Sequence, residues 1–113
     1  MNDEQYKRYR KMNAEVIKVL IRKIDKKDKT IHYLVEGDSG THYKVSIYKT
    51  GKITCSCPDY KYSVEKECVC KHCLFIIINV LKMFKNNLYH PFYERHYFTP
   101  DELSDIYKYI RTN

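Results

Sequence analysis

All five cysteines of the chain lie in one stretch of nineteen residues, CSCPDYKYSVEKECVCKHC, which runs from Cys55 to Cys73. A histidine, His72, stands between the last two of them. Thiols and imidazoles gathered this closely serve disulfide cross-linking, metal binding or nucleophilic catalysis. An odd number of cysteines fits complete disulfide pairing poorly, and the polar N-terminal sequence MNDEQYKRYRKMN does not look like a secretory leader. The sequence therefore predicts an intracellular, reducing location in which thiols stay unpaired.

Two pairs of possible metal ligands stand out, because a single residue separates the members of each pair. Cys55 and Cys57 come first, and Pro58 directly after them favours a bend in the chain. Cys70 and His72 form the second pair. Zinc in structural sites prefers four thiolate or imidazole ligands at the corners of a tetrahedron. The spacing predicts a structural Zn²⁺ site formed by Cys55, Cys57, Cys70 and His72.

The two remaining cysteines leave alternatives open. Cys68 or Cys73 can take the place of Cys70 or His72 as a ligand. Outside the site, Cys68 is expected to be an exposed loop thiol, and Cys73 a small apolar group at the start of a buried helix. A catalytic pair of Cys70 and His72 is disfavoured, because no carboxylate that would orient the imidazole is evident. We therefore expect a protein that is not an enzyme.

The elements that must position these ligands are strands before the first pair and helices after the second. Residues before Cys55 alternate in hydrophobicity with a period of two, which is typical of strands. Strands are predicted in AEVIKVLIRKID, TIHYLVEG, THYKVSIYK and ITCSC. The first of these also matches a helical stripe, and its density of Val and Ile favours the strand. The turn-forming sequences KKDK, EGDSG and KTGK separate them. A meander of three or four antiparallel strands is the simplest topology.

Two helices are predicted after His72. The stretch CLFIIINVLKMFKNN is apolar on nearly every face and predicts a buried helix that ends at Asn86 and Asn87. The last helix has a clear start, with Thr99 as its N-cap, Pro100 in its first turn and Glu102 closing a capping box. Its apolar stripe consists of Leu103, Ile106, Tyr107 and Ile110.

The expected fold is a small, zinc-stabilised α+β domain, with the antiparallel sheet followed by the apolar helix and the C-terminal helix. A length of 113 residues indicates a single domain. Within it we distinguish a basic N-terminal arm (1–13), expected to be a short helix or frayed, a zinc-binding region (14–85), and an aromatic loop with the C-terminal helix (86–113). No run of about 18 apolar residues is present, so no membrane span is expected.

The cysteine pattern resembles the SWIM-type zinc finger, whose signature is Cys-x-Cys followed at a variable interval by Cys-x-His. The similarity covers roughly residues 14–85: paired strands leading into ITCSCPDY, then CKHC and an aliphatic helix. It is greatest to the SWIM region of ubiquitin ligases that also carry RING fingers, but no RING is present here. The resemblance implies a non-enzymatic module that binds nucleic acid or proteins, with Cys68 and Cys73 as departures from the pattern.

The charge distribution favours nucleic acid as the partner. The chain has 21 Lys and Arg against 14 Asp and Glu, a net charge of +7, and the excess lies in the N-terminal third. Clustered basic residues bind nucleic acid by releasing counterions from the phosphates. The predicted nucleic-acid-binding residues, with DNA favoured, are Lys7, Arg8, Arg10, Lys11, Lys23, Lys26, Lys27, Lys29, Lys61 and Lys71. Tyrosines among them, namely Tyr6, Tyr9, Tyr60 and Tyr62, are candidates for stacking on bases.

A protein-interaction adaptor is the alternative function, for example in the assembly of a ubiquitin ligase. In that case the apolar helix, the aromatic segment 89–98 and the last helix would form a face for a protein partner or a second copy of the chain. The composition, rich in Lys, Ile, Tyr and Asn and poor in Ala and Gly, is typical of an AT-rich genome. It suggests a source such as a large DNA virus or an AT-rich protist.

Overall fold

The computed structural model describes residues 1–84 and 87–112 of the chain. Its helices are α1 (Asp3–Ala14), α2 (Asp59–Glu65), α3 (Lys71–Phe75), α4 (Phe92–Arg95) and α5 (Pro100–Thr112). Its strands are β1 (Lys18–Ile24), β2 (Ile31–Glu36), β3 (His42–Ile47) and β4 (Ile53–Cys55). A π-helical turn, Ile76–Val80, continues α3. The predicted α+β class is confirmed.

The strands form one antiparallel sheet in the order β1-β2-β3-β4, which is the predicted meander. Alternation decides which side chains of β2 face inward, because Ile31, Tyr33 and Val35 are buried and the residues between them are half-buried. The turn before β4 closes at Gly51, whose φ of +92° is readily adopted only by glycine. The hairpin turn predicted in KTGK is therefore confirmed.

Strand β1 forms an edge of the sheet and is largely exposed. It pairs with β2, and a shift in register between Val19 and Ile21 places a bulge at Leu20. Leu20 and Ile21 are 43% and 58% exposed. The predicted strand is confirmed, but its apolar side chains are mostly outside the core.

The core lies between the inner face of the sheet and the helices that cover it. Its largest fully buried side chains include Tyr33 from the sheet, Phe92 from α4 and Phe98 from the segment before α5. The capping box of α5 is formed as predicted, with the Thr99 N–H donating to Glu102 at 2.9 Å. The predicted stripe of α5 also faces inward: Leu103, Ile106 and Ile110 are buried, and Tyr107 is half-buried.

The apolar helix is shorter than predicted. Regular helix, including the π-helical turn, ends at Val80 rather than at Asn86 and Asn87, and Asn86 lies outside the described residues. Lys82 and Phe84 have positive φ angles of 58° and 57°, which a helix does not allow. The chain reverses here, so that the Phe84 ring stacks on His90 with ring centroids 3.9 Å apart.

Two other segments are more ordered than a frayed arm or an open loop. Residues 1–13 take the helical form of the two predicted for them, and α1 packs against α3 and buries Gln5, Arg8 and Met12. The segment between the ligand pairs is not an open loop, because it contains α2 and buries Cys68 and Val69. In the described part of the chain, no helix has both the length and the apolarity that crossing a membrane requires.

Candidate metal centre

The first ligand pair is positioned by the end of the sheet. Cys55 is the last residue of β4, and Ser56 extends the pairing by donating its N–H to the Lys44 carbonyl at 3.0 Å. The Ser56 hydroxyl in turn accepts from the Lys44 N–H at 2.8 Å. Pro58 then starts α2 immediately after Cys57. The chain therefore bends between strand and helix at the point where both thiols must face one ion.

The second pair is positioned by the start of α3. Cys70 is the N-cap residue of this helix in an extended conformation, and its carbonyl accepts the Leu74 N–H at 3.0 Å. His72 is two residues further along, in the first turn, and is 3% exposed. A helix start fixes the directions of both side chains, because backbone hydrogen bonds define the first turn.

The ligand atoms of Cys55, Cys57, Cys70 and His72 all lie within 4.8 Å of one another, and all four residues are buried. The Cys55 Sγ is 3.9 Å from the His72 Nδ1. Tetrahedral coordination at ordinary zinc–ligand bond lengths places such a sulfur and nitrogen about 3.6 Å apart. The four predicted residues thus meet in an arrangement that fits a metal ion. Three soft thiolates and one imidazole are a donor set that suits zinc.

Crowding among the thiols opposes their ionisation when no cation is bound. The neighbouring Cys57 thiol raises the pKa of Cys55 well above its ordinary value. At Cys57, a hydrogen bond with Cys55 lowers the pKa, but the Cys70 thiol and burial outweigh it and raise the pKa to about 11. A bound cation reverses this balance, since it stabilises thiolates and displaces their protons. Without a cation, Cys55 and Cys57 therefore favour the neutral thiol.

The other two cysteines have different surroundings. Cys73 is completely buried, and its thiol interacts with those of Cys55 and Cys70, but it is not a member of the four-residue group. Cys68 is also buried, at 3% exposure, and not the exposed loop thiol expected from the sequence. Burial raises the pKa of the Cys68 thiol, although the nearby Arg8 lowers it. Cys68 is not a member of the four-residue group.

Helix α1 braces the segment that leads into the second pair. The fully buried Gln5 side chain accepts the Val69 N–H at 2.8 Å and donates to the Val69 carbonyl at 3.0 Å. Asn2 donates to the Glu67 carbonyl in the same segment at 3.0 Å. A primary amide can satisfy one peptide donor and one peptide acceptor at once. Gln5 therefore fixes the backbone directly before Cys70.

The same helix also braces the segment that follows the first pair. Arg8 holds the Asp59 carboxylate with two hydrogen bonds, Nε to Oδ2 at 2.8 Å and Nη2 to Oδ1 at 2.9 Å. A third bond joins Arg8 Nη1 to Glu4 at 2.9 Å. Forked Arg–carboxylate pairs fix geometry as well as charge. Because Asp59 is two residues after Cys57, α1 connects the flanks of both ligand pairs.

Further contacts surround the imidazole. The Tyr43 ring lies 4.8 Å from the His72 ring, and a Cβ added at Gly37 would be 3.5 Å from the His72 Nε2. Lys71, next to His72, is bonded to both carboxylate oxygens of Glu15 at 2.7 Å. The Lys71 charge is therefore compensated inside the fold.

The predicted nucleic-acid-binding residues fall into two groups. Arg8 is 8% exposed and Lys71 is half-buried, and both are held in the ion pairs described above. They have structural roles and are not part of an open basic surface. The other eight are exposed on α1, on β1 and the turn that follows it, and on α2: Lys7, Arg10, Lys11, Lys23, Lys26, Lys27, Lys29 and Lys61.

The structure adds basic residues that the sequence-based set lacks. The register places Lys23, His32, Ser46 and Thr54 in one row across the sheet, on the face opposite the core. Side chains on this outer face include four lysines, one acid and one tyrosine: Lys18, Lys23, Lys44, Lys52, Glu36 and Tyr48. The alternation in THYKVSIYK predicts this position for Lys44, because Tyr43 and Val45 point inward.

The centre as a whole can supply four protein ligands to one ion, which is the arrangement of a closed site. Such sites stabilise folds, whereas catalytic zinc sites keep one position for water or substrate. In comparisons with protein-family models, curated proteins and solved structures, nothing matches this chain.

Proposed function

We propose that the chain is a non-enzymatic zinc-binding module that binds nucleic acid, with single-stranded DNA or RNA favoured, through the outer face of its sheet. The closed four-ligand centre supports a structural metal, because it leaves no position for a substrate. The zinc-finger character suggested by the SWIM-like cysteine pattern is part of this proposal.

The observation that carries the proposal is the composition of the outer sheet face. This face carries four lysines and one acidic residue, Glu36, whose carboxylate already contacts His42 at 3.3 Å. Tyr48, 37% exposed, lies at the end of β3 on the same face. A broad basic surface with an accessible ring and hydrogen-bonding side chains is typical of single-strand binding, where lysines neutralise phosphates and rings stack on bases.

Exposed cations next to this face enlarge it. Lys26, Lys27 and Lys29 follow β1 in the turn to β2, and Lys23 belongs to the sheet itself. Among the described residues, none of these four forms an ion pair. Cations that lack internal partners remain available to phosphates, so the β1–β2 turn extends the proposed surface.

The adaptor alternative gains less support. The side chains it placed on a partner-binding face are largely inside the fold, since Ile76, Ile77 and Phe92 are fully buried. Tyr89 and Tyr97 are the exposed aromatic residues of the segment 89–98, at 87% and 49%. Two separate tyrosines do not make the continuous apolar face that stable protein partners bury.

The test is a fluorescence-anisotropy titration of metal-loaded protein with single-stranded and duplex oligonucleotides of equal length across a salt series. Binding should weaken with salt, by about 0.7 log units per log unit of salt for each phosphate contacted on a single strand. The double variant Lys44→Gln/Lys52→Gln should lower that slope by about 1.4. No binding at low salt, or a slope near zero, would contradict the proposal.

A matched control separates this surface from net charge alone. Lys66→Gln/Lys108→Gln removes the same two charges from exposed positions on other elements. This control should bind with nearly the affinity and salt slope of the unmodified chain. Equal losses in both double variants would show that general charge, and not the sheet face, governs binding.

A further inference from the structure

A cleft of about 620 Å³ lies at the end of the sheet away from the metal centre. It is bounded by the β1–β2 turn, the β3–β4 turn and α5, and we call it the distal cleft. Its apolar lining includes Ile24, Phe98, Leu103 and Tyr107. The Tyr107 hydroxyl donates to the Lys29 carbonyl at 2.7 Å, which ties α5 to the β1–β2 turn and fixes one wall. The volume lies within the range of about 300–1,000 Å³ typical of ligand pockets.

The rim of the distal cleft is strongly basic. Lys26, Lys29, Lys49 and Arg111 line it, and the one carboxylate among the lining residues is that of Asp25. The Asp25 Oδ1 already accepts the Lys27 N–H at 2.9 Å. None of the four cations forms an ion pair within the described parts of the chain. An apolar floor under four unpaired cations suits a ligand that is both anionic and apolar.

The cleft continues into the free edge of β1. Within the residues described, β1 is paired on one side only, by β2. The opposite edge of the sheet, beside β4, is partly covered by a bridge between Lys52 and Tyr97. The last residue of β1, Ile24, also lines the cleft. An unpaired strand edge offers backbone donors and acceptors to an extended chain. A small molecule in the cleft would leave this edge unused.

We propose that the distal cleft and the edge of β1 together bind an acidic, extended segment of a partner protein. One apolar side chain of the segment enters the cleft, and flanking carboxylates meet the basic rim. A second copy of this chain is a poorer occupant, because its own β1 would bring Lys18, Arg22 and Lys23 against the same cations. This site is independent of the proposed nucleic-acid surface, apart from the lysines of the β1–β2 turn.

The experiment measures anisotropy of fluorescein-labelled peptides on the full, metal-loaded chain. The probe is a peptide of about twelve residues rich in Asp and Glu around one Phe. Two control peptides are compared with it: one carries Phe→Ala, and in the other every Asp and Glu is replaced by Asn and Gln. Loss of one buried aromatic side chain should weaken binding at least about tenfold. Loss of the acids should abolish the dependence of binding on salt.

Two variants of the protein assign the binding to the cleft. Ser104 is exposed and lines the cleft, so Ser104→Trp fills it from the surface while the core stays intact. We expect Ser104→Trp to weaken the acidic Phe peptide at least about tenfold, the same loss as removal of the Phe ring. Lys49→Glu/Arg111→Glu should weaken it as well, and circular dichroism with metal analysis checks the fold of each variant.

The control is Lys44→Gln/Lys52→Gln, which should leave peptide binding unchanged while reducing oligonucleotide binding. Peptide binding that is absent at low salt, or insensitive to Ser104→Trp, overturns the proposal. Phenylacetate that binds as tightly as the peptide identifies a small-molecule site and also overturns it. An equal loss of oligonucleotide binding in Ser104→Trp assigns the cleft to nucleic acid instead. If only oligonucleotide binding fails, the proposed function falls and the peptide site stands.

Discussion

The two ends of the sheet differ in how completely their polar groups are satisfied. At the metal end, the ligands meet in one cluster and the neighbouring charges are paired, Arg8 with Asp59 and Lys71 with Glu15. At the distal end, four cations surround an apolar floor without forming ion pairs in the described residues. Groups that are satisfied internally contribute to folding, whereas groups left unpaired are available to a partner. We therefore expect stability to depend more on the metal end, and the proposed recognition more on the distal end.

The two ends also depend on different interactions. Polar side-chain bonds brace the metal end, where four buried residues lie close enough to bind one metal ion. The distal end rests on backbone hydrogen bonds and apolar contacts, such as that of the Phe98 N–H with the Gly51 carbonyl at 2.8 Å. Perturbations of the metal should therefore act first on one end, and perturbations of the turns on the other.

The largest effect is expected from loss of the metal. Cys57→Ser removes one of four ligands, and structural zinc contributes about 10–16 kcal/mol of apparent binding free energy, comparable with the whole stability of a small domain. We expect loss of bound metal, a broad thermal transition and aggregation, measured by elemental analysis and circular dichroism. Cys68→Ser, at a buried cysteine outside the ligand group, should keep its metal. Equal metal content and melting in the two variants would contradict the assignment.

Hydrogen exchange would sharpen the contrast between the ends. When a chelator removes the metal, the amides of Val69 and Leu74 should lose protection first. Val69, whose N–H donates to Gln5, directly precedes Cys70, and the Leu74 N–H donates to the Cys70 carbonyl. The amide of Leu103, bonded to Thr99 in the capped start of α5, should be affected last. Simultaneous loss at all three amides would show that the domain unfolds as one unit.

The next effect concerns the brace. Gln5→Leu replaces the amide by an apolar side chain of similar size and leaves the buried N–H and carbonyl of Val69 unpaired. The expected cost is about 2–6 kcal/mol in unfolding free energy. Chemical denaturation measures this cost, and competition with a chromogenic chelator should show weaker metal binding as well. Asn13→Leu, at an exposed position of the same helix, should change neither quantity appreciably. Unchanged metal affinity in Gln5→Leu would mean that α1 does not position the ligands.

A smaller effect is expected at the distal end from Gly51→Ala. A Cβ at this position would lie 2.1 Å from the Phe98 carbonyl oxygen, and the φ of +92° already disfavours an L side chain. We expect a loss of about 2–4 kcal/mol with metal affinity retained. Gly40→Ala is the control, since its φ is also positive at +77° but its added Cβ would meet nothing within 4 Å. It should lose only about 1–2 kcal/mol. Equal losses would contradict the close approach at Phe98.

The smallest effect is the pH dependence of the α5 capping box. Burial raises the pKa of Glu102, but hydrogen bonds from Arg95 and Thr99 outweigh it and place the pKa below its ordinary value of 4.5. The stabilisation is thus present above pH 4.5 and lost as the pH falls through the lowered value. At pH 6 the unfolding free energy of the unmodified chain should exceed that of Glu102→Gln by less than about 1 kcal/mol, and the two should converge as the pH falls below 4.5 through the lowered pKa. Metal that is released at low pH destabilises both proteins alike, so it cancels in the difference between their unfolding free energies at each pH. A constant difference would exclude this carboxylate as the cause.

Much of the fold follows from local patterns in the sequence. Alternation predicts β2 and β3, the turn residues predict the hairpins, and the series Thr99, Pro100 and Glu102 predicts the start of α5. The ligand group is also predictable, because one Cys-x-Cys pair and one Cys-x-His pair supply all four ligands and every other histidine lies far from them along the chain. These features are visible because each depends on residues close together in the chain.

The features that the sequence does not reveal depend on distant contacts. Gln5 and Arg8 lie in a polar helix, so their burial is decided by Val69 and Asp59, more than 50 positions away. The early end of the apolar helix follows from Phe84 packing on His90. Hydrophobic periodicity carries no information on such partners, because it describes one element at a time.

The brace has a consequence for how related chains can diverge. Gln5 and Arg8 form hydrogen bonds with the two ends of the segment between the ligand pairs, at Val69 and Asp59. The length of that segment is thereby decoupled from the geometry of the ligands. Insertions around Lys66 can lengthen it as long as both anchors persist. A homologue with a different interval should accordingly preserve an amide and a guanidinium one helical turn apart at the positions of Gln5 and Arg8.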